Sequence, residues 1–243
     1  MKAATRAEVC IVACAEVFRG DGEILASPMG LVPKLGAELA RRTFEPDLLL
    51  TDGVASLVDA DGAFEGTMTY AEVFDTLWWG RRHVMMGASQ IDRYGNQNIS
   101  CIGEWDQPKV QLLGVRGAPG NTINHPTSYW VPKHSPRVFV QAVDMVSGVG
   151  YDRAAALDKW SARFHEIRRV VTNLGVFDFL TPDRSMRVVS VHPGVSVDEV
   201  VSNTGFPLTL APKIEQTRSP TPEELDCIRA LDPENRRDVE VSE

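Results

Sequence analysis

A polar turn at the end of an apolar segment is the first place in this sequence where chemistry could occur. The three leucines at 48–50 predict a buried strand, and Thr51-Asp52-Gly53 follows with a hydroxyl, a carboxylate and a turn glycine. Ligands of open α/β sheets bind beyond the carboxyl ends of the strands. Thr51 and Asp52 are therefore candidate catalytic residues, and Gly53 is a candidate substrate contact.

A second candidate segment, MMGASQIDRYGNQNIS, runs from Met85 to Ser100. Its small residues Gly87 and Ala88 would let the backbone approach a ligand closely. Amide side chains that could hold a carbonyl or carboxylate oxygen without adding charge are Gln90, Asn96 and Asn98. Because Gly-Asn sequences mostly form turns, the same residues also fit a turn that binds nothing.

A third candidate segment, GVRGAPGNTINHP, runs from Gly114 to Pro126. Backbone N–H groups in a glycine-rich bend can hold an anion. The candidate contacts are Gly117, Ala118, Gly120 and Asn121. The segment lacks the signatures of phosphate loops and dinucleotide-binding turns. His125 is a candidate base, although a single loop histidine before proline is more often just a solvated side chain.

Composition excludes several classes of function. With 33 acidic against 25 basic residues and a net charge of -8, the chain does not favour nucleic-acid binding, which needs clustered cations. No apolar run reaches the roughly 20 residues that span a bilayer, and the first residues do not form a signal peptide. Four cysteines without a C-x-x-C motif suit a reducing cytoplasm. The five scattered histidines form no metal-binding motif.

The elements that must position these residues alternate between strand and helix. EILASP, PKLGAELARRTF and DLLL are spaced as a βαβ unit, preceded by a helix that a Thr5–Glu8 capping box begins. We therefore predict an α/β fold with an open, mostly parallel sheet flanked by helices. One domain should cover residues 1–243, with a charged tail from Asp232 that frays.

Further elements follow from local patterns. TYAEVFDTLWWG and the segment after Ser196 predict helices, and RVFVQAVD and KVQLLGV predict strands. RRVVTNLGVFDFL and MRVVSVHPG predict a strand pair, and PTPEELDCIRAL predicts a last helix. Polar loops are expected at Asp59–Gly66 and along RGAPGNTINHPTSYWVPKHSP.

Together the three candidate segments resemble the β subunit of family I CoA transferases. Those subunits carry a strand followed by Glu-Asn-Gly, then L-G-A-x-Q-V-D-x-x-G-N-x-A-N, then G-G-A-M-D-L. Residues that match the second motif position for position are Gly87, Ala88, Gln90, Asp92, Gly95 and Asn96, and Asn98 lies one position before the last asparagine of the motif. The resemblance covers about residues 5–206 and implies the CoA transferase-like (NagB/RpiA-type) fold.

One departure changes the expected chemistry. The glutamate that attacks the thioester in the transferases aligns with Thr51, and Asp52 is one position away. A threonine hydroxyl is a weak nucleophile unless a base activates it. In an extended chain, a shift of one residue points a side chain to the opposite face. Ordinary CoA transfer is therefore not the favoured reaction.

A narrower resemblance accounts for this departure. GRRHVMMGASQIDRYGNQNIS with GVRGAPGNTINHPTSYWV is similar to the β subunits of ring-cleaving hydrolases of actinobacterial cholesterol and steroid catabolism, which share the fold. The resemblance implies hydrolysis of a carbon–carbon bond in a cyclic CoA thioester, with CoA as part of the substrate and neither a permanent cofactor nor a metal. It also implies a partner α subunit in an α2β2 assembly, which supplies the general base.

The resemblance assigns roles and leaves alternatives open. The amides and the loop N–H groups around Gly117 would stabilise oxyanions. Arg116 would pair with a substrate carboxylate or a CoA phosphate, or equally would form an ion pair on the protein surface. The alternatives are a true CoA-transferase subunit acting through Asp52 and a non-catalytic subunit that binds acyl-CoA.

Overall fold

The computed structural model describes residues 3–51, 56–59, 61–69, 71–72, 75 and 80–241. The helices with described bounds are α1 (Arg6–Glu16), α2 (Leu31–Thr43), α3 (Ala118–Asn124), α4 (Tyr151–Ala154), α5 (Val197–Ser202), α6 (Pro222–Leu231) and α7 (Arg237–Glu240). Seven strands precede residue 100: β1 (Leu25–Pro28), β2 (Leu49–Thr51), β3 (Ser56–Val58), β4 (Phe64–Thr67), β5 (Arg82–Gly87), β6 (Gln90–Ile91) and β7 (Gln97–Asn98). Seven follow it: β8 (Cys101–Ile102), β9 (Val110–Gln111), β10 (Pro126–Val131), β11 (Glu166–Thr172), β12 (Gly175–Asp178), β13 (Arg187–Val191) and β14 (Thr209–Gln216).

The main sheet has ten strands in the order β14-β13-β12-β11-β10-β5-β1-β2-β3-β4. Its five central strands, from β11 to β2, pair in parallel. Outside them the pairing is antiparallel, apart from β13 with β14. The mostly parallel sheet flanked by helices is therefore confirmed, with antiparallel hairpins added at both edges.

The helices α1 and α2 cover one face of the sheet. Thr5 accepts from the Glu8 N–H and Glu8 accepts from the Thr5 N–H, so the predicted capping box begins α1. A Cβ atom on Gly36 would lie 2.7 Å from the Cys14 Cβ, which shows how closely the two helices approach. Cys10 and Cys14 are buried core residues. The same cluster contains Leu50 of β2, so the neighbouring Thr51 points to the opposite face.

The long polar loop expected after Arg116 is the largest error of the sequence interpretation. It contains helix α3 and strand β10, which is buried throughout and pairs with β5 and β11 at the centre of the sheet. The polar residues of β10 bond internally: Thr127 donates to the Asn121 carbonyl, and the Ser128 hydroxyl lies 3.0 Å from His83 Nε2. Because these groups are satisfied inside the fold, polarity did not mark a loop.

Other segments also differ from their predictions. RVFVQAVD forms no strand of a sheet, and Phe139 in this segment makes an isolated β-bridge with Ile91. The expected loop at Asp59–Gly66 contains the start of β4, which pairs with β3. RRVVTNLGVFDFL divides into β11 and β12, and β12 forms the predicted pair with β13, which the structure shows to be antiparallel. Strand β14 was not predicted.

Three further predictions concern the helix after Ser196, the C-terminal tail and the segment TYAEVFDTLWWG. The Ser196 hydroxyl accepts from the Glu199 N–H at the start of α5, as predicted. The tail expected to fray from Asp232 is instead packed through residue 241, where α7 places Arg237 in a buried ion pair. TYAEVFDTLWWG lies largely outside the described residues. Within the described ranges, no helix combines the length and apolarity needed to cross a bilayer.

Candidate active site

The turn after β2 begins at the carboxyl edge of the sheet, as expected, but only its first residue is described. Thr51 is buried, and its Oγ1 lies 3.3 Å from both the Ala26 carbonyl oxygen and Ser27 Oγ. These contacts tie the end of β2 to β1. Asp52 and Gly53 lie outside the described residues.

Arg82 adds a cation that the sequence interpretation missed. It begins β5, is 5% exposed, and donates from Nε to Ser27 Oγ at 2.8 Å and from Nη1 to Asn121 Oδ1 at 3.3 Å. Burial lowers the pKa of Arg82 to about 10, so the guanidinium stays charged at neutral pH. Ser27 thus links this charge to the Thr51 hydroxyl.

Gly87 ends β5 at the same edge of the sheet. It is exposed, and a Cβ atom added there would meet only the Trp130 carbonyl oxygen, at 3.9 Å. The Gly87 carbonyl accepts a hydrogen bond from the Gln97 side chain. Ala88 is half-buried beside it. The space beyond Gly87 is open, as a close backbone approach to a ligand would require.

The amides that follow Gly87 are buried and bonded inside the chain. Gln90 Oε1 accepts from Asn98 Nδ2 at 2.7 Å, and Gln90 Nε2 donates to Asp144 Oδ2 at 3.1 Å. Asn96 Nδ2 donates to Asp92 Oδ2 at 2.9 Å and to Asp152 Oδ1 at 2.8 Å. These contacts brace the β6–β7 hairpin against the loop around Asp144. The structure gives these amides a supporting role, and direct contact with a ligand stays a prediction.

The Gly117–Asn121 segment is the first turn of α3 rather than an open bend. Gly117 is the N-cap, and the N–H groups of Ala118 and Asn121 donate to the carbonyls of Val115 and Gly117. Asn121 is buried, with Oδ1 on Arg82 and Nδ2 3.9 Å from Met86 Sδ. Gly120 is half-buried.

Arg116 is exposed with φ 48, just before that turn. Asn121 therefore joins Arg82 and Thr51 within one connected cluster. Arg116 is not part of these contacts.

Burial removes most of the histidines as candidate bases. It lowers the pKa of His125 and His134 to about 3 and that of His192 to about 4. The pKa of His165 is also lowered by burial. His125 is fully buried, so its interpretation as a solvated loop residue is wrong. These four side chains are neutral at physiological pH.

His83 forms an Asp-His-Ser arrangement that has the spacing of a catalytic triad. Its Nδ1 lies 2.6 Å from Asp21 Oδ2 and its Nε2 lies 3.0 Å from Ser128 Oγ. Burial alone would raise the pKa of Asp21, but the His83 hydrogen bond, together with the charges of His83 and Arg168, lowers it. Ser128 has no exposed surface, so the hydroxyl is closed to a substrate and the arrangement braces β5 against β10.

Over the described ranges, no three His, Cys, Asp or Glu side chains are grouped so that they could hold an ion. The described polar groups at this edge of the sheet offer hydrogen bonds and the charge of Arg82, and the space beyond Gly87 is open.

Comparison with known proteins matches this chain to a family. A family model described as coenzyme A transferase matches residues 74–203. The cholesterol ring-cleaving hydrolase IpdB subunit of Rhodococcus jostii (strain RHA1) is 56% identical over 245 residues, which cover 98% of this chain and 96% of that protein. One subunit of the 3-oxoadipate CoA-transferase of Pseudomonas knackmussii (strain B13) is 30% identical over 250 residues, 96% of this chain and 95% of that one.

A solved structure agrees with the sequence comparison. The crystal structure of Rhodococcus jostii RHA1 IpdAB contains a chain with a TM-score of 0.92 and 56% identity, and the match covers 99% of both chains. The likeness thus runs the whole length of this chain.

Proposed function

Because this chain belongs to the coenzyme A transferase family, we propose that it is the β subunit of a heteromeric acyl-CoA hydrolase that opens a carbon ring in steroid or cholesterol degradation. The observation that carries the proposal is the likeness to the Rhodococcus jostii IpdB subunit and to IpdAB over nearly every residue. The 30% identical transferase subunit is a more distant relative.

The residue at the end of β2 favours hydrolysis over acyl transfer. Transferases of this family attack the thioester with a glutamate, whereas this chain has Thr51, whose Oγ1 is within hydrogen-bonding distance of β1 atoms. A threonine hydroxyl needs a base to become a nucleophile. A reaction without a covalent intermediate suits this arrangement.

Hydrolytic ring opening needs no covalent intermediate. Water adds to a ring ketone, the bond to the thioester-bearing carbon breaks, and its electron pair becomes a thioester enolate that is then protonated. The former ketone carbon becomes a carboxylate of the ring-opened product. Such a reaction requires a base for the water and positioned donors for the developing oxyanions.

We assign the donors to this chain and the base to its partner. The donors we assign to this chain are near the carboxyl ends of β2 and β5. They are Asn121, the Thr51 hydroxyl and the backbone around Gly87 and Gly117. Burial lowers the pKa of His125, His134, His165 and His192, which makes them poor proton acceptors near pH 7. An IpdA-type α subunit would supply an acidic residue, in an α2β2 complex. Exposed apolar side chains such as Trp105 and Leu113 fit a surface that a partner covers.

CoA enters this proposal as part of the substrate, with no resident cofactor. Arg116 is exposed and suits a CoA phosphate. We place the complex in the cytoplasm, where reduced thiols persist; the four cysteines are free.

The test is coexpression of this chain with a candidate α subunit and assay of a cyclic β-keto CoA thioester in ¹⁸O water. We expect a complex with equal amounts of both chains, ring opening, and one ¹⁸O atom in the new carboxylate. This chain alone should be inactive. Acyl exchange between a CoA thioester and a free acid, without ring opening, would establish the transferase alternative. Full activity of the α subunit alone would establish the non-catalytic one.

A further inference from the structure

A cavity opens at the amino edge of the sheet, on the side away from Thr51 and Gly87. Its volume is about 520 Å³, and it is lined by the end of α1, the start of β11, the residues after β12 and the segment around Arg184. Strand β11 begins at Glu166 and runs parallel to β10 and β5, whereas Gly87 ends β5. The cavity and the candidate active site therefore lie at opposite edges. A volume of this size suits a small-molecule ligand.

Four arginines and two glutamates line this cavity, and two of the arginines are paired. Arg19 Nε lies 2.6 Å from Glu16 Oε2. Arg168 Nε lies 3.0 Å from Glu166 Oε2, and its Nη1 also pairs with Asp21. Both glutamates of the lining are therefore engaged, and they leave two arginines without a counter-charge in the cavity.

Those two arginines are Arg169 and Arg184. Arg169 Nη1 donates to the Arg168 carbonyl at 2.7 Å, and Arg184 Cζ lies 5.4 Å from the centre of the Tyr151 ring. Neither forms an ion pair with a described carboxylate. Guanidinium groups bind phosphate with paired N–H donors. Two such charges match a phosphate monoester, which carries roughly −1.5 to −2 charges at pH 7.

The backbone of Arg184 is unusual for an arginine. Its φ is 57, in the left-handed region that glycine and asparagine favour. The turn around it is held by the Arg184 N–H on the Thr181 carbonyl at 3.1 Å and by the Thr181 hydroxyl on the Ser185 carbonyl at 2.8 Å. A glycine would form this turn with less strain. The turn alone therefore does not explain why an arginine is present.

His165 adds an unused hydrogen-bond acceptor to the same lining. Its Nδ1 lies 2.7 Å from the Thr122 carbonyl oxygen, which can only accept, so Nδ1 carries the proton. Burial lowers the pKa of His165, which keeps the ring neutral. Nε2 is then an acceptor, and this buried atom has no hydrogen-bond partner among the described residues. A hydroxyl group on a ligand would supply the missing donor.

We propose that this cavity binds a phosphate monoester that carries a hydroxyl group, such as a sugar phosphate. Arg169 and Arg184 hold its phosphoryl group, and its hydroxyl donates to His165 Nε2. The Tyr151 hydroxyl takes no part, because it donates to the Ile167 carbonyl and accepts from the Ile167 N–H. The cavity is a second ligand site, separate from the one proposed for the acyl-CoA substrate.

The test is calorimetry on the full-length chain in the complex in which it purifies. The probes are ribose 5-phosphate, inorganic phosphate and ribose, each at concentrations up to about 10 mM. We expect ribose 5-phosphate to bind, inorganic phosphate to bind more weakly, and ribose to give no binding. Arg169→Gln and Arg184→Gly should each weaken the binding of ribose 5-phosphate at least about 10-fold, the loss expected for a hydrogen bond to a charged group.

Further variants separate binding from folding and from other cations. Arg184→Gly should keep or raise the melting temperature, because glycine relieves the positive φ. His165→Asn keeps a donor for the Thr122 carbonyl and lacks Nε2, so it should lose the preference for ribose 5-phosphate over inorganic phosphate while still binding both. Arg137→Gln removes an exposed arginine outside the cavity, and Arg116→Gln removes the one proposed to contact CoA. Neither should change the binding of ribose 5-phosphate.

Several results would overturn the inference. One is no measurable binding of ribose 5-phosphate by the wild type, or equal binding of ribose 5-phosphate and inorganic phosphate. Another is undiminished binding in Arg184→Gly, which tests the cavity even if Arg169→Gln does not fold. A loss in Arg116→Gln as large as in Arg184→Gly would place the phosphate at the proposed CoA contact instead. An equal loss in Arg137→Gln would mean attraction to the positive surface in general.

Discussion

Arg237 Nη2 donates to Glu8 Oε1 at 3.0 Å, which joins the last described helix to the first across 229 positions of sequence. Both side chains are almost fully buried, and Arg237 Nη1 also lies 3.0 Å from Asp232 Oδ2. Glu240 of the same helix accepts from Trp130 Nε1 at 2.6 Å. The C-terminal segment therefore closes the helical layer over α1 and the sheet.

Removal of this arginine should destabilise the fold. Arg237→Ala leaves the buried Asp232 carboxylate without its guanidinium partner and leaves Glu8 with Arg229 alone. We therefore expect a loss of about 3 kcal/mol in the free energy of unfolding, at the low end for a broken buried pair. Arg236→Ala is the matched control, because its pair with Glu234 is exposed and should change stability by less than about 0.5 kcal/mol. Urea unfolding measures both variants. Equal losses would mean that the buried pair contributes no more than a surface one.

Local signals in the sequence were sufficient for features that act locally. The capping residues Thr5 and Ser196 begin helices as predicted, because a cap depends on three or four neighbouring residues. Strand β10 was missed because the partners that satisfy Thr127 and Ser128 are remote in sequence or lie outside the strand. The packed tail was missed for the same reason.

Some residues of the candidate site could be predicted from local sequence patterns, and others could not. Thr51 and Gly87 were found because both end apolar strands, which is a local pattern. Arg82 was not, since its significance lies in the absence of a nearby acid within the described chain, which only the folded structure shows. The roles of Gln90, Asn96 and Asn98 could not be separated by sequence from those of ligand contacts, because a bracing amide and a binding amide look alike.

Two glycines test whether ligand approaches the backbone. Added Cβ atoms would have nearest contacts of 3.9 Å at Gly87 and 3.7 Å at Gly117, so valine should fold at either position. If substrate occupies that space, Gly87→Val and Gly117→Val should raise KM or abolish binding with little change in melting temperature. Gly175→Val is the contrasting control, since its Cβ would collide with the Ser190 carbonyl oxygen and should destabilise the fold. Unchanged kinetics at positions 87 and 117 would assign those glycines to turns alone.

The buried histidines predict a stability that falls in acid. The folded pKa of His125 is about 3, whereas an unfolded histidine titrates near 6.5. The unfolded state therefore binds more protons below about pH 6.5, and the free energy of unfolding falls as pH drops toward the folded pKa. At pH 5 this histidine alone should remove about 2 kcal/mol relative to pH 8.

A substitution isolates that contribution. Neither ring nitrogen of His125 has a hydrogen-bond partner among the described residues, so His125→Phe removes the titration without breaking such a bond. The difference in unfolding free energy between pH 8 and pH 5 should shrink by about 2 kcal/mol in the variant. Urea unfolding of the assembled complex at both pH values and one protein concentration measures it. An unchanged difference would mean that the pKa of His125 is the same in the folded and the unfolded state.

Thr51 separates hydrolysis from covalent transfer. Its hydroxyl lies within hydrogen-bonding distance of the Ala26 carbonyl and Ser27, at the position where the transferases of this family have their nucleophile. Loss of one positioned donor typically costs about 10²–10³ in rate, whereas loss of a covalent nucleophile costs on the order of 10⁶. Thr51→Ala should therefore lose no more than the first amount and keep the complex assembled, as judged by gel filtration and by ring-opening kinetics.

Chemical trapping completes the test of Thr51. Hydroxylamine or borohydride should capture no acyl or thioester adduct at Thr51 or Asp52 during turnover, and Thr51→Ser should retain most of the activity because it keeps the hydroxyl. A trapped adduct, or near-total inactivity of an assembled Thr51→Ala complex, would reject hydrolysis without a covalent intermediate. Thr51→Glu restores the carboxylate that the transferases use, and a detectable acyl-exchange half-reaction in that variant would follow from the shared fold. That gain alone would leave hydrolysis as the reaction of the natural chain, because its hydroxyl cannot form the acyl anhydride through which a glutamate transfers CoA.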